Sequence, residues 1–208
     1  MTTNPMNATI ALIERRISAN LFDAAHVLAD AQIAELVRLA TLAPTAYHLQ
    51  NWRFIAVRTP EAKQRLLPLA HGQAKVAEAA ATFIVCGVLP GHADIPERLA
   101  AFVESGFMSA DTAAAWQAGA RAQYADARIA RDEAVRSASL GAATLMHAAE
   151  AMGLAAGPMG GFDAEGVARE FGLAPGELPV MLVAVGRAAP GNWPQKPRRP
   201  LADVLQLA

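Results

Sequence analysis

Apolar positions along this chain fall into two rhythms, one of three- and four-residue steps and one of unbroken runs. Ile33, Leu36, Val37, Ala40 and Leu42 share one helical face, and Asp30 stands where an N-cap belongs. Ile10, Leu12 and Ile13 predict a shorter helix over 8–16 that ends in the basic pair Arg15-Arg16, a sign that suits the helix dipole. The longest pattern covers 129–153, where Val135, Ala138, Ala142, Leu145, Ala149 and Met152 recur and Gly153 suits a left-handed stop. Ser137, Ala138, Ser139, Gly141, Ala142 and Ala143 are small, so this helix is expected to pack closely in the core or against a symmetry mate.

The unbroken runs read as strands. Residues 82–89 and 180–186 are apolar throughout, as in strands covered on both faces, and 53–57 and 154–159 are shorter candidates. Thr59-Pro60-Glu61 and Asp163 each open a helix, another is expected over 71–80, and the alanine-rich stretch 91–126 predicts two more joined near Ser105-Gly106, with Ser109 capping the second. That stretch is placed to cover a pocket or reach a neighbouring subunit. With no repeat and no linker, the chain reads as one α+β domain, 1–208, of four or five strands. Prolines at 190, 194, 197 and 200 keep the segment 188–208 extended, as an arm expected to lie on a partner subunit.

Composition narrows the classes. Lys and Arg number 18 and the net charge is -1, with no basic stripe for nucleic acid. Residues 1–6 lack a signal-peptide layout, and no apolar run approaches the roughly 20 residues of a membrane span, so a cytoplasmic protein is expected. Hydrophobic residues make up 53% and charged ones 18%, which points to apolar surface shared between subunits. The single cysteine, Cys86, lies inside an apolar run and reads as a buried structural thiol.

Chemistry concentrates in four places. The loop Ala43-Pro44-Thr45-Ala46-Tyr47-His48-Leu49-Gln50-Asn51-Trp52 follows a helix that Pro44 ends, and it carries a hydroxyl, a phenol, an imidazole, carboxamides and an indole able to line a planar polar ligand. Arg15 and Arg16, followed by Ser18 and Asn20, are placed to hold a phosphate or a ring edge. Met159-Gly160-Gly161 lies between a strand and a helix, where paired glycines permit close approach of backbone to a ligand. Lys196, Arg198 and Arg199 form a second basic cluster, and Gln73 and Lys75 stand near a helix start. The dinucleotide pattern G-x-G-x-x-G is absent, so nothing argues for a separate nicotinamide domain.

In order and spacing these blocks resemble the nitroreductase family of flavin enzymes, over about residues 11–205. The resemblance implies a central, mostly antiparallel sheet flanked by helices, an intertwined homodimer, and FMN at the subunit interface. It assigns Arg15, Arg16, Ser18, Asn20, Lys196 and Arg198 to the phosphate region, and Pro44, Thr45, Ala46, His48 and Gln50 to the ribityl chain and ring. Met159, Gly160 and Gly161 would face the ring, with Gln73 or Lys75 at its polar edge. The implied activity is ping-pong hydride transfer from NADH or NADPH to a nitroaromatic, quinone or similar small acceptor, with no catalytic side chain and no metal. A flavin-holding protein without turnover and a cofactor-free helical module are the rival readings. The terminal basic patches are expected to converge from two copies of the chain. Thr45, His48 and Asn51 replace the family's serine, asparagine and loop proline, and Asn20 stands where a basic residue is common.

Overall fold

The computed structural model describes residues 7–208, so the reading of residues 1–6 lies outside the described residues. Helix α1 (Ala8–Arg15) starts where the Asn7 carboxamide accepts the Thr9 N–H at 2.9 Å. Helix α2 (Asp30–Ala40) corrects one expectation: Ala29 is the N-cap, and Asp30 is the first helical residue, with its carboxylate near the positive helix end and paired with Arg58. The Gln32 side chain stands in for the missing cap by accepting the Ala29 N–H at 3.0 Å.

Strand β1 (Trp52–Val57) leads into α3 (Pro60–Leu69), which Thr59 caps as expected. The helix expected over 71–80 shrinks to a single turn, α4 (Lys75–Glu78), because His71 and Gly72 take left-handed φ of 54° and 70°. Strand β2 (Ala81–Val88) follows, then α5 (Ile95–Glu104) and α6 (Ala110–Gln123), with Ser109 capping α6. Helix α7 (Ala127–Ala151) begins two residues before its apolar pattern does, since the Asp126 carboxylate accepts the Arg128 and Ile129 N–H groups. Strand β3 (Ala155–Met159), α8 (Ala164–Glu170) and β4 (Glu177–Gly186) complete the order.

The four strands pair in the order β1-β2-β4-β3, every neighbour antiparallel. Both fully apolar runs occupy the middle, where each face is covered. Phe83, Val85, Val183 and Val185 point to a core shared with α2 and α7, while Ile84, Cys86, Leu182 and Ala184 point to one shared with α3 and α8. The small residues of α7 serve the core. A Cβ on Gly87 of β2 would sit 2.3 Å from the Ala134 carbonyl oxygen of α7, so this helix lies directly on the sheet.

Cys86 is fully buried, and desolvation, followed by the Glu177 charge, pushes its thiol up to about 12. Native protein is therefore expected to leave Ellman's reagent uncoloured at pH 8, and to react with one equivalent once unfolded in guanidinium. Among the described residues no helix is long and apolar enough to cross a membrane, and no cluster suits a metal ion.

Candidate functional site

The first basic block runs beside β3. Ser18 bridges Ala156 in parallel, and the Ala19 N–H donates to the Ala156 carbonyl at 3.0 Å. This approach needs Gly157, whose added Cβ would lie 2.2 Å from the Ala19 oxygen. Lys75 reaches the same segment and donates to the Asn20 side-chain oxygen at 3.1 Å. Gln73 donates to the Gly161 carbonyl at 3.0 Å, which draws the paired glycines in. Both glycines are exposed, with open space where a Cβ would stand.

The tail is stitched onto this block within one chain. Asn192 accepts the Asn20 and Leu21 N–H groups at 2.8 and 3.1 Å, and Gln195 donates to the Arg16 carbonyl at 2.9 Å. Arg198 donates to Gln195 at 2.6 Å and to the Lys196 carbonyl at 2.8 Å. Ser18, Lys196 and Arg198 then line a small cavity of about 50 Å³.

Electrostatics mark the cluster. Among the described residues nine arginines pair with carboxylates, Arg53 with Glu177, Arg65 with Glu170 and Arg15 with Glu150 at 2.7 Å among them, while Arg121, Arg128, Arg131 and Arg199 stand unpaired but apart from Ser18. Arg16, Lys75, Lys196 and Arg198 have no carboxylate within ion-pair reach among the described residues. Burial, and then the charge of Lys196, hold the Lys75 ammonium below the ordinary lysine range. Cations left facing one another without a counter-charge form an anion site.

The polar loop builds a second place. Pro44, Thr45, His48 and Gln50 line a cavity of about 390 Å³ whose other wall is Leu99, Phe102, Met108 and Trp116 from α5, α6 and their junction. The Thr45 hydroxyl accepts the Gln50 N–H at 3.0 Å and closes the loop. Ala46 accepts the Leu49 N–H, so it shapes the turn through its backbone. Asn51, in place of a proline, is buried and donates to the Val88 carbonyl at 2.9 Å, continuing the sheet pairing. No hydrogen bond or ion pair among the described residues joins this loop to the basic cluster. The α5–α6 wall was legible only as bulk in an alanine-rich stretch, and Asn192 and Gln195 carried no signal at all.

A four-stranded antiparallel sheet under helices, with a cationic cluster and a separate, largely apolar cavity topped by a polar loop, defines an α+β protein with a candidate anion site and a candidate cavity for a planar ligand. The chain belongs to the nitroreductase family, whose model matches residues 13–187. It is 32% identical, over 96% of its length and 98% of the relative's, to the Bacillus subtilis protein named "Putative NAD(P)H nitroreductase YodC". Among solved structures it is similar to the nitroreductase ydfN of Bacillus subtilis, with TM-score 0.89, 27% identity and coverage of 96% and 98%. A nitroreductase from Exiguobacterium sibiricum solved in complex with FMN superposes with TM-score 0.88 at 26% identity, covering 100% of both chains.

Proposed function

We propose that the protein is an FMN-dependent NAD(P)H oxidoreductase that works as a homodimer, the basic cluster of one copy facing the polar-loop cavity of the other. The observation that carries this reading is the cavity lined by Ser18, Lys196 and Arg198, with the Lys75 charge acting on Lys196 and no carboxylate paired with any of these three cations among the described residues. An FMN phosphate supplies the missing negative charge, so the residues fit the group. Arg16, Ser18, Lys196 and Arg198 would hold the phosphate, and Gln73, Lys75, Met159 and the exposed peptides of Gly160 and Gly161 would meet the ring. The loop of a second copy, through Pro44, Thr45, Ala46, His48 and Gln50, would close over the ribityl chain and ring.

The flavin supplies two-electron hydride chemistry when bound; the chain supplies binding, orientation and shelter from water. With no G-x-G-x-x-G pattern in the sequence, NADH or NADPH and the acceptor would use the polar-loop cavity in turn. The largely apolar wall from Leu99 to Trp116 suits flat, electron-poor acceptors such as nitroaromatics, quinones or enones. An apolar groove of about 440 Å³ between α1, α2 and α7, bordered by Leu12, Ile13, Leu42 and His147, gives the dimer a surface to bury.

Native mass spectrometry is expected to report two chains with two FMN. Anaerobic stopped flow should show the yellow band bleached by NADH or NADPH and restored by 1,4-benzoquinone, with parallel reciprocal plots. A flavin that neither nucleotide bleaches would overturn the reading.

A further inference from the structure

The polar loop keeps its shape against its own backbone preferences. Tyr47, His48 and Gln50 have φ of 51°, 55° and 46°, the left-handed region where a Cβ crowds the neighbouring peptide. Three such residues within four positions persist only where something outside the loop holds them.

The Tyr47 side chain makes the outside contacts. Its ring meets Trp116 and Tyr124 edge-on, with centroids 6.1 Å away in both cases and interplanar angles of 78° and 87°. Its hydroxyl donates to the Gln123 carboxamide oxygen at 3.0 Å. Helix α6 leaves room for it at Gly119, where an added Cβ would lie 3.3 Å from the Tyr47 oxygen. His48 and Gln50 line the cavity instead and meet each other at 3.0 Å. As the side chains stand, the donating Gln50 amide nitrogen faces His48 Nε2, an arrangement that the imidazole tautomer with its proton on Nδ1 satisfies. Beside them Arg98 of α5 bonds the Leu49 carbonyl and pairs with Asp94.

We propose that Tyr47 is a positioning residue: the end of α6 grips its ring, and through the shared backbone turn fixes His48 and Gln50 in the acceptor cavity with one imidazole tautomer selected. What that cavity turns over rests on the function proposed above, whereas the grip itself does not. The reach of α6 into the loop thus makes acceptor recognition depend on a helix segment two of whose contact residues, Gln123 and Tyr124, lie outside the cavity.

The test uses full-length protein as purified and two readouts. Imidazole nitrogen NMR, with His48 assigned through His48→Asn, reports the tautomer, and kcat/KM is measured for 1,4-benzoquinone. Gly119→Ala adds a methyl that favours helix, so the unfolding temperature should hold or rise. The same methyl crowds Tyr47, so the His48 signal is expected to lose its fixed Nδ1–H signature while kcat/KM falls about tenfold. Tyr47→Asn, which tolerates a left-handed φ but lacks the ring, should do the same. Tyr47→Phe keeps the ring and should retain the signature, with kcat/KM within about threefold of the parent.

If Gly119→Ala and Tyr47→Asn fold and keep both the parental signature and the parental kcat/KM, the positioning role is wrong. If the parent shows no quinone turnover while the tautomer responds as described, the grip stands and the reductase reading falls.

Discussion

Gly157→Ala is expected to lower the free energy of unfolding by about 3 kcal/mol and to leave the purified protein colourless. The added methyl would sit 2.2 Å from a backbone oxygen, that of Ala19, which has no rotamer with which to yield. The segment from Ser18 to Asn20 would have to leave β3, taking with it the Ala19–Ala156 hydrogen bond and the contact between Lys75 and Asn20. Fold and site fail together because the same close approach builds both. Gly160→Ala is the matched control: open space surrounds that position, and stability should stay within about 0.5 kcal/mol. Urea unfolding with equal slopes, and the visible spectrum after gel filtration, read the two effects. A Gly157→Ala protein as stable as Gly160→Ala and as yellow as the parent would contradict the packing argument.

Lys75→Met should act in opposite directions on the two forms of the protein. Without cofactor, the ammonium is held charged at a cost set first by burial and then by Lys196, so removing it should raise the unfolding temperature. With FMN present the charge is wanted, and the variant's affinity should drop by about 1.5–3 kcal/mol, roughly 10- to 150-fold. The sign in pH follows from the same shift. The folded value lies below the ordinary 10.5, so the penalty is complete at pH below the folded value and disappears as pH rises through it towards 10.5. Cofactor-free parent should therefore gain stability relative to Lys75→Met across that alkaline window. A flat difference between the two proteins would place Lys75 outside the cluster.

Most of the architecture was legible because each element carries its own local signal. Thr59, Ser109 and Asp163 accept N–H groups at helix starts, and the two apolar runs are the inner strands, since only strands covered on both faces drop the polar alternation. Where local signals compete, the reading slips. Asp30 is as good a first-turn acid as a cap, and the periodicity over 71–80 gives no warning that His71 and Gly72 turn left-handed. The site blocks were legible as residue types, and their grouping was not. The tail finds the first block through Asn192 and Gln195, ordinary carboxamides whose partners are distant backbone groups. Tyr47 looked like one more polar loop residue, and only tertiary placement shows its ring turned onto α6.

The seam between the Arg16 segment and Gln195 joins positions 179 apart along the chain. Contacts of such separation form late, because the ends of a long loop must be brought together before anything rewards them. The sheet and α7 can therefore assemble before these last residues dock. Docking of the tail then completes the anion site last, and a chain ended near residue 187 is expected to keep the sheet while lacking Lys196 and Arg198.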